Sequence, residues 1–419
     1  MTKATGLLLT KHSCASTLSV EDARFSRRKF LKVAGGIVVA YTVLGSLDDV
    51  FADPEVKVET VVNNGPSELR YDLVWMPEGY TVKEQAKFNK DFEAIIKASE
   101  KRKFFKEYGN LFNWHRIWVP SENAWTKSGG TGTVFDIEDK EGQIMVNNKQ
   151  KMKELSGKAK TDLPCILVNA AARLGYTTQE FLIADLNFNS AIHELGHGIG
   201  ALEDEYDKSI DKRSKGINTS IDEKNPPWKK LVDNKVKGIG VYQCKDFNGK
   251  VIPGYFKGEE AKCLMEAVGE DMDYGILCTN GMILGLRKEI GVIASAPAEG
   301  VISVKKNVPV GIVLETLASR TYIPTVKAGY ASGTPEEMDA LAGQLRAGKL
   351  SVDSFADKTK YKSATMANVK NKSTLTDKLG PGSYVVAVVV QDSNPAILLD
   401  PNGVTRAQRV YRVDVGTDK

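Results

Sequence analysis

Histidine is scarce in this chain: four among 419 residues, at positions 12, 115, 193 and 197. None lies beyond His197, so a site built on His193 and His197 cannot draw a third imidazole from downstream. Cysteine is almost as sparse, with Cys14, Cys165, Cys244, Cys263 and Cys278, and no Cys-x-x-Cys pair that would support a Cys/Cys zinc site. There is no low-complexity tract and no convincing internal repeat. Apart from residues 33–47, no apolar run approaches membrane length. Strong charge is missing too. The 57 Lys and Arg face 53 Asp and Glu, and the first 52 residues carry most of the small basic excess. A balance this close to neutral argues against nucleic acid as a partner.

The beginning of the chain reads as an export leader. Residues 26–32 are SRRKFLK, the apolar run 33–47 follows, and VFA precedes Asp53. A basic stretch, a short apolar stretch and small residues at a cleavage site make a signal peptide. Arg27 and Arg28 followed by Phe30 and Leu31 give the twin-arginine pattern. The run of fifteen residues falls short of the ~20 that a spanning helix needs. Cleavage after Ala52 is therefore expected, with delivery to the periplasm or the extracellular space and no stable membrane insertion afterwards. An uncleaved anchor is the alternative. The remaining residues are too many for one ordinary core and point to two or three domains.

Residues 193–206 read HELGHGIGALEDEY. Two histidines four apart share one helix face and can bind one zinc ion. Glu194, beside the first, stands where a zinc peptidase keeps its general base, which takes a proton from a metal-activated water. HExxH alone is short and recurs by chance in bland helices. Gly196, Gly198 and Gly200 raise its weight, because glycine costs a helix interior ~1 kcal/mol relative to alanine. They suit a helix that stops after His197 and turns back. Glu203, Asp204 and Glu205 lie within reach of that turn, and a carboxylate among them can complete the site while a fourth position stays open for water. His12 leaves with the leader. His115 lies in FNWHRIWV, which reads as a strand.

Around this motif, residues 54–76 alternate as strands. Residues 81–108 place Phe88, Phe92, Ile95 and Ile96 on one helix face, and LPCILVN at 163–169 reads as a buried strand. A helix over 178–197 is expected to end in the motif. This order suggests an α/β sandwich with the metal helix against the sheet. The charged stretch 207–238 reads as a surface excursion, with Trp228 anchoring it or, as the alternative, lining a substrate subsite. From about 300 the chain turns β-rich, with one helix over 335–348, which suggests a small C-terminal sandwich-like domain. Cys165 reads as a buried thiol. Cys244, Cys263 and Cys278 are expected to supply one disulfide, with the pairing open.

Several ordered segments resemble the bacterial IgA-peptidase-like zinc metallopeptidases. They are LVWMPEGYTVKEQAKFNKDFE, LFNWHRIWVPSE, the HELGH segment with Gly200, Leu202 and Asp204-Glu205-Tyr206, then INTS, PWKKL, and KCLMEA with Cys278 downstream. The likeness covers roughly residues 70–285. It implies an α/β zincin-like (metzincin-like) catalytic domain, placed at 53–295, and does not cover the C-terminal β-rich (sandwich-like) domain expected from the strand pattern over 296–419. It implies a zinc-dependent endopeptidase, exported if the leader reading holds, with one catalytic Zn2+, a peptide or protein substrate, His193 and His197 as ligands and Glu194 as base. Met265 matches the Met-turn. Matching the Asp-Glu-Tyr triplet makes Asp204 the third ligand, whereas counting as in metzincins gives Glu203. Tyr206 and Tyr255 are candidates to support the tetrahedral intermediate, and an edge strand near 163–169 could hold an extended substrate. The rival readings are a non-catalytic zincin-fold binding protein, a zinc amidase acting on cell-wall peptides, and a structural zinc site. Because the twin-arginine route carries folded proteins, a precursor trapped in the cytoplasm is expected to contain zinc already. A folded, metal-free precursor on metal analysis would refute that.

Overall fold

The apolar runs near the N-terminal end become neighbours in one sheet. The computed structural model describes residues 56–417, apart from 129–131, 141–142, 173, 179, 207–215 and 352–361. The expected leader, 1–52, lies outside the described residues. The sheet draws on β1 (Val58–Val62), β2 (Tyr71–Glu78), β3 (Phe112–Ile117), β6 (Leu163–Val168), β7 (Gly175–Thr177) and β8 (Leu182–Ala184), and a separate hairpin of β4 (Ile137–Lys140) and β5 (Gln143–Val146) stands beside it. Its order is β1-β3-β2-β6-β8-β7. The four inner strands are parallel, and β1 and β7 run antiparallel at the edges.

Inner parallel strands must be covered on both faces, and the side chains divide accordingly. Leu73, Trp75, Cys165 and Leu167 face one apolar cluster, while Val74, Met76, Ile166 and Val168 face another. The first cluster is closed by α1 (Gln85–Glu100), α2 (Lys103–Tyr108), α4 (Phe188–Gly200) and α5 (Ile276–Ile290), and the second by α3 (Lys149–Ser156) with the hairpin. Helix α1 buries Phe88, Phe92, Ile95 and Ile96, the face read from its spacing.

Three expectations are corrected. Residues 180–187 are not helical: Leu182–Ala184 is strand β8, paired with β6, and α4 begins only after Asn187, whose side chain accepts from Ser190 N. The stretch 163–169 is not an edge, because β6 lies between β2 and β8; the edge beside α4 is β7. The helix does not stop at His197 either. It runs on to Gly200 and breaks at Ala201, which adopts φ 49° in the left-handed region.

The glycines of α4 therefore have another purpose, which is close packing. A methyl group on Gly196 would stand 2.7 Å from Met265 Sδ, and one on Gly200 would stand 3.1 Å from Met282 N of α5. The contact is tightest at Gly285 of α5, where an added Cβ would fall 1.7 Å from the Ile199 carbonyl oxygen.

The β-rich region consists of a four-stranded and a five-stranded sheet that share one apolar cluster. In Gly382–Gln391, Val386, Val388 and Val390 enter that cluster, while Val385, Ala387 and Val389 pack on α6 (Pro335–Arg346). A Thr334–Glu337 capping box starts α6. Ile293–Ser295, just ahead of position 296, already pairs into this region. Arg287 of α5, fully buried, joins it by an ion pair to Asp392 at 2.6 Å and a hydrogen bond to the Leu317 carbonyl. Among the described residues, no helix is long and apolar enough to cross a membrane.

Gly285→Ala is expected to push α5 off α4 and destabilise the protein by about 3 kcal/mol, lowering Tm by roughly 6 °C. An unchanged melting curve would show that the two helices tolerate a wider separation.

Candidate metal centre

Helix α4 delivers His193 and His197 one turn apart, with their imidazoles on one face. Each ring is held from behind by a backbone carbonyl. His193 Nδ1 lies 2.8 Å from Leu264 O, and His197 Nδ1 lies 2.6 Å from Leu202 O. A carbonyl only accepts, so each Nδ1 carries the proton and donates it, which leaves each Nε2 free to offer a lone pair.

The two Nε2 atoms are 3.1 Å apart, and Asp204 Oδ1 stands 3.0 Å from that of His193 and 3.3 Å from that of His197. Oδ1 is buried and has no properly directed hydrogen bond, although both nitrogens are near. Three electron-rich atoms converging off-axis suit a shared cation. Two nitrogens bound at zinc distances with a tetrahedral angle between them would be about 3.3 Å apart. Two imidazoles and a carboxylate are a zinc donor set that leaves a coordination position open. These residues fit the ion.

Protonation tells the same story. Burial pulls the His197 imidazole down, but the Asp204 carboxylate beside it, with Glu194 and the Leu202 carbonyl, holds it up at about 10. Burial alone would raise Asp204; its two histidine partners bring it well below the carboxylate range. In the absence of a cation, the cluster keeps a proton.

Of the two acids considered for the third position, Asp204 reaches both imidazoles and Glu203 does not. Asn218 grips the Glu203 backbone, accepting from its N–H at 3.0 Å and donating to its carbonyl at 2.8 Å. Glu194 is buried beside the site. Its Oε2 accepts from Thr177 Oγ1 of β7 at 2.7 Å, and its Oε1 fills the space that a Cβ on Gly175 would need. Met265 is fully buried against Gly196 and outside the ligand cluster. Tyr206 stands beside His193, ring centroids 6.1 Å apart, and stacks on the exposed Phe247 at 4.2 Å.

Tyr255 is a correction. Its ring is buried and its hydroxyl donates to Asp204 O at 2.9 Å, so it braces the acid's backbone rather than a reacting group. His115 stays in the sheet, bonded to Asp72 and Thr60. Trp228 is a buried anchor that donates to Gly240 O. Sequence reasoning missed Thr177 and the Leu264 carbonyl. Both come from other parts of the chain, and neither residue type signals the role.

Residues 59–251 match the IgA peptidase M64 family. The family read from the scattered segments is the one whose model matches, and the match supports a peptidase, a hydrolase acting on peptides or proteins. The match contains His193, Glu194, His197 and Asp204 and ends before the Met265 segment. A search of curated proteins finds no match to the chain.

Zinc needs a neutral His197, and the metal-free site holds that imidazole protonated up to about pH 10. Zinc affinity should therefore rise about tenfold per pH unit between pH 6.5 and 8.5, with about one proton released per ion. Competition against a chromophoric chelator measures this, and a pH-independent affinity would exclude the shared proton.

Proposed function

We propose that this chain is an exported zinc-dependent metalloendopeptidase with Glu194 as general base and His193, His197 and Asp204 as zinc ligands. The observation that carries the reading is the convergence of the two Nε2 atoms and Asp204 Oδ1 within 3.3 Å, with the Glu194 carboxylate buried alongside. Zinc, when bound, supplies a Lewis acid that polarises a carbonyl and acidifies water.

The chain's own residues do the rest. Leu264 and Leu202 keep both imidazoles in the tautomer that presents Nε2. Thr177 holds the Glu194 carboxylate by one oxygen, which fixes the direction from which it takes a proton from water and returns it to the leaving amine. Strand β7 ends the sheet at Thr177, so an extended peptide can add to that edge beside Glu194. Tyr206 and Phe247 offer an aromatic surface next to His193 for an apolar side chain of the substrate.

Glu194→Ala is expected to bind zinc as the parent does and to lose hydrolysis of a generic protein substrate by about 10²–10⁴-fold. Zinc content by atomic absorption and cleavage of casein by both proteins decide it. A variant that cleaves as fast as the parent would remove Glu194 from the mechanism.

A further inference from the structure

One residue beyond Asp204, a second buried cluster forms. The Glu205 carboxylate receives Cys263 Sγ on Oε2 and Cys278 Sγ on Oε1, each at 3.4 Å, and the two sulfurs are 3.8 Å apart. All three residues are buried, and both cysteines are free thiols in the structure, so the disulfide expected among Cys244, Cys263 and Cys278 is not formed there. Asn218 Nδ2 donates to Glu205 Oε1 at 3.1 Å, and the Lys257 ammonium lies 3.7 Å from Oε2 while pairing with Glu266. The cysteines belong to different elements. Cys278 lies in the first turn of α5, whereas Cys263 begins the segment whose Leu264 carbonyl orients His193 and whose Met265 carbonyl accepts from Glu205 N at 2.9 Å.

We propose that Cys263 and Cys278 join in a disulfide that pins the 263–265 segment to α5 and so holds the His193 ring in register. Both sulfurs reach one carboxylate and lie 3.8 Å apart, against a bonding distance of about 2.05 Å. Glu205 would give up only two weak thiol donors and keep Asn218 and Lys257. A metal held by Glu205, Cys263 and Cys278 is the competing use of the same atoms. Lys257 already supplies the positive charge there, and no fourth donor joins these three among the described residues.

The step is thiol–disulfide exchange with a small-molecule disulfide such as oxidised glutathione. One cysteine thiolate attacks a sulfur of the oxidant and releases one thiol. The other cysteine then displaces the second, so two cysteine thiols and one disulfide become one protein disulfide and two small thiols, which carry the two protons. Burial pushes the Cys278 thiol far up, so the exchange requires a transient opening of the segment that exposes it to the oxidant. The pairing is independent of catalysis; only its effect on His193 rests on the metal reading.

The test uses the full chain equilibrated in glutathione buffer, denatured without reductant, alkylated with iodoacetamide and mapped by mass spectrometry. The expected result is a linked peptide pair carrying Cys263 and Cys278, with Cys165 and Cys244 alkylated. Alkylation of all four, a link through Cys244, or protection of Cys263 and Cys278 that a chelator abolishes would each overturn the proposal. A non-chelating phosphine reductant should lower the parent's Tm by about 5 °C and leave a Cys263→Ser/Cys278→Ser double variant unmoved. An equal shift in both proteins would remove the pinning role. Failure of Glu194→Ala to lose activity would leave the peptide map unchanged, so the two readings fail separately.

Discussion

Three electron-rich atoms, the Nε2 atoms of His193 and His197 and Oδ1 of Asp204, face each other at 3.0–3.3 Å in a buried position. Unaided, they repel one another, and low polarity makes the repulsion worse. The cluster is stable only with positive charge at its centre, either a shared proton or a metal ion. Much of the surrounding structure keeps these atoms converged. The Leu264 and Leu202 carbonyls prevent the rings from turning, and Tyr255 and Asn218 brace the backbone at 203–204. The competition between proton and ion links the protonation of His197 to the proposed zinc chemistry.

The braces depend in turn on packing at a distance. Leu264 reaches His193 because Met265 fits the flat side of α4 at Gly196, and α5 closes the assembly because Gly285 lets it touch the Ile199 carbonyl. On its far side α5 is tied to the β-rich region by the buried Arg287–Asp392 pair. A guanidinium and a carboxylate taken out of water must remain together, since losing one leaves the other unpaired and buried. The C-terminal sheets are thus coupled mechanically to the helix that backs the candidate metal centre.

Much of the site was legible in the residues because it is local. HELGH places two imidazoles on one face by helix geometry alone, the lack of any later histidine turned attention to the acids, and the Asp-Glu-Tyr match singled out Asp204. The apolar face of α1 and the buried run of β6 were equally readable. The short strands were not. Leu182–Ala184 is too brief to show a period and was absorbed into the helix that follows, and Gly175–Thr177 is half exposed, with no apolar pattern. The glycines were noticed for the right reason, their cost, but they serve contacts with α5 and Met265 that no local pattern contains.

What the sequence by itself determined is the chemistry within one helical turn and the turn after it: two imidazoles, an adjacent carboxylate, an acid a few residues on, and the resemblance to a peptidase family. The tertiary structure decided which acid meets both rings, which nitrogen of each ring is presented, which strand lies at the edge, and which cysteines meet. The division has a physical cause. Spacing along a helix is set by covalent geometry, whereas lone-pair direction, desolvation and close approach depend on groups such as Leu264, Thr177 and Gly285, which reach the site only when distant parts of the chain pack together.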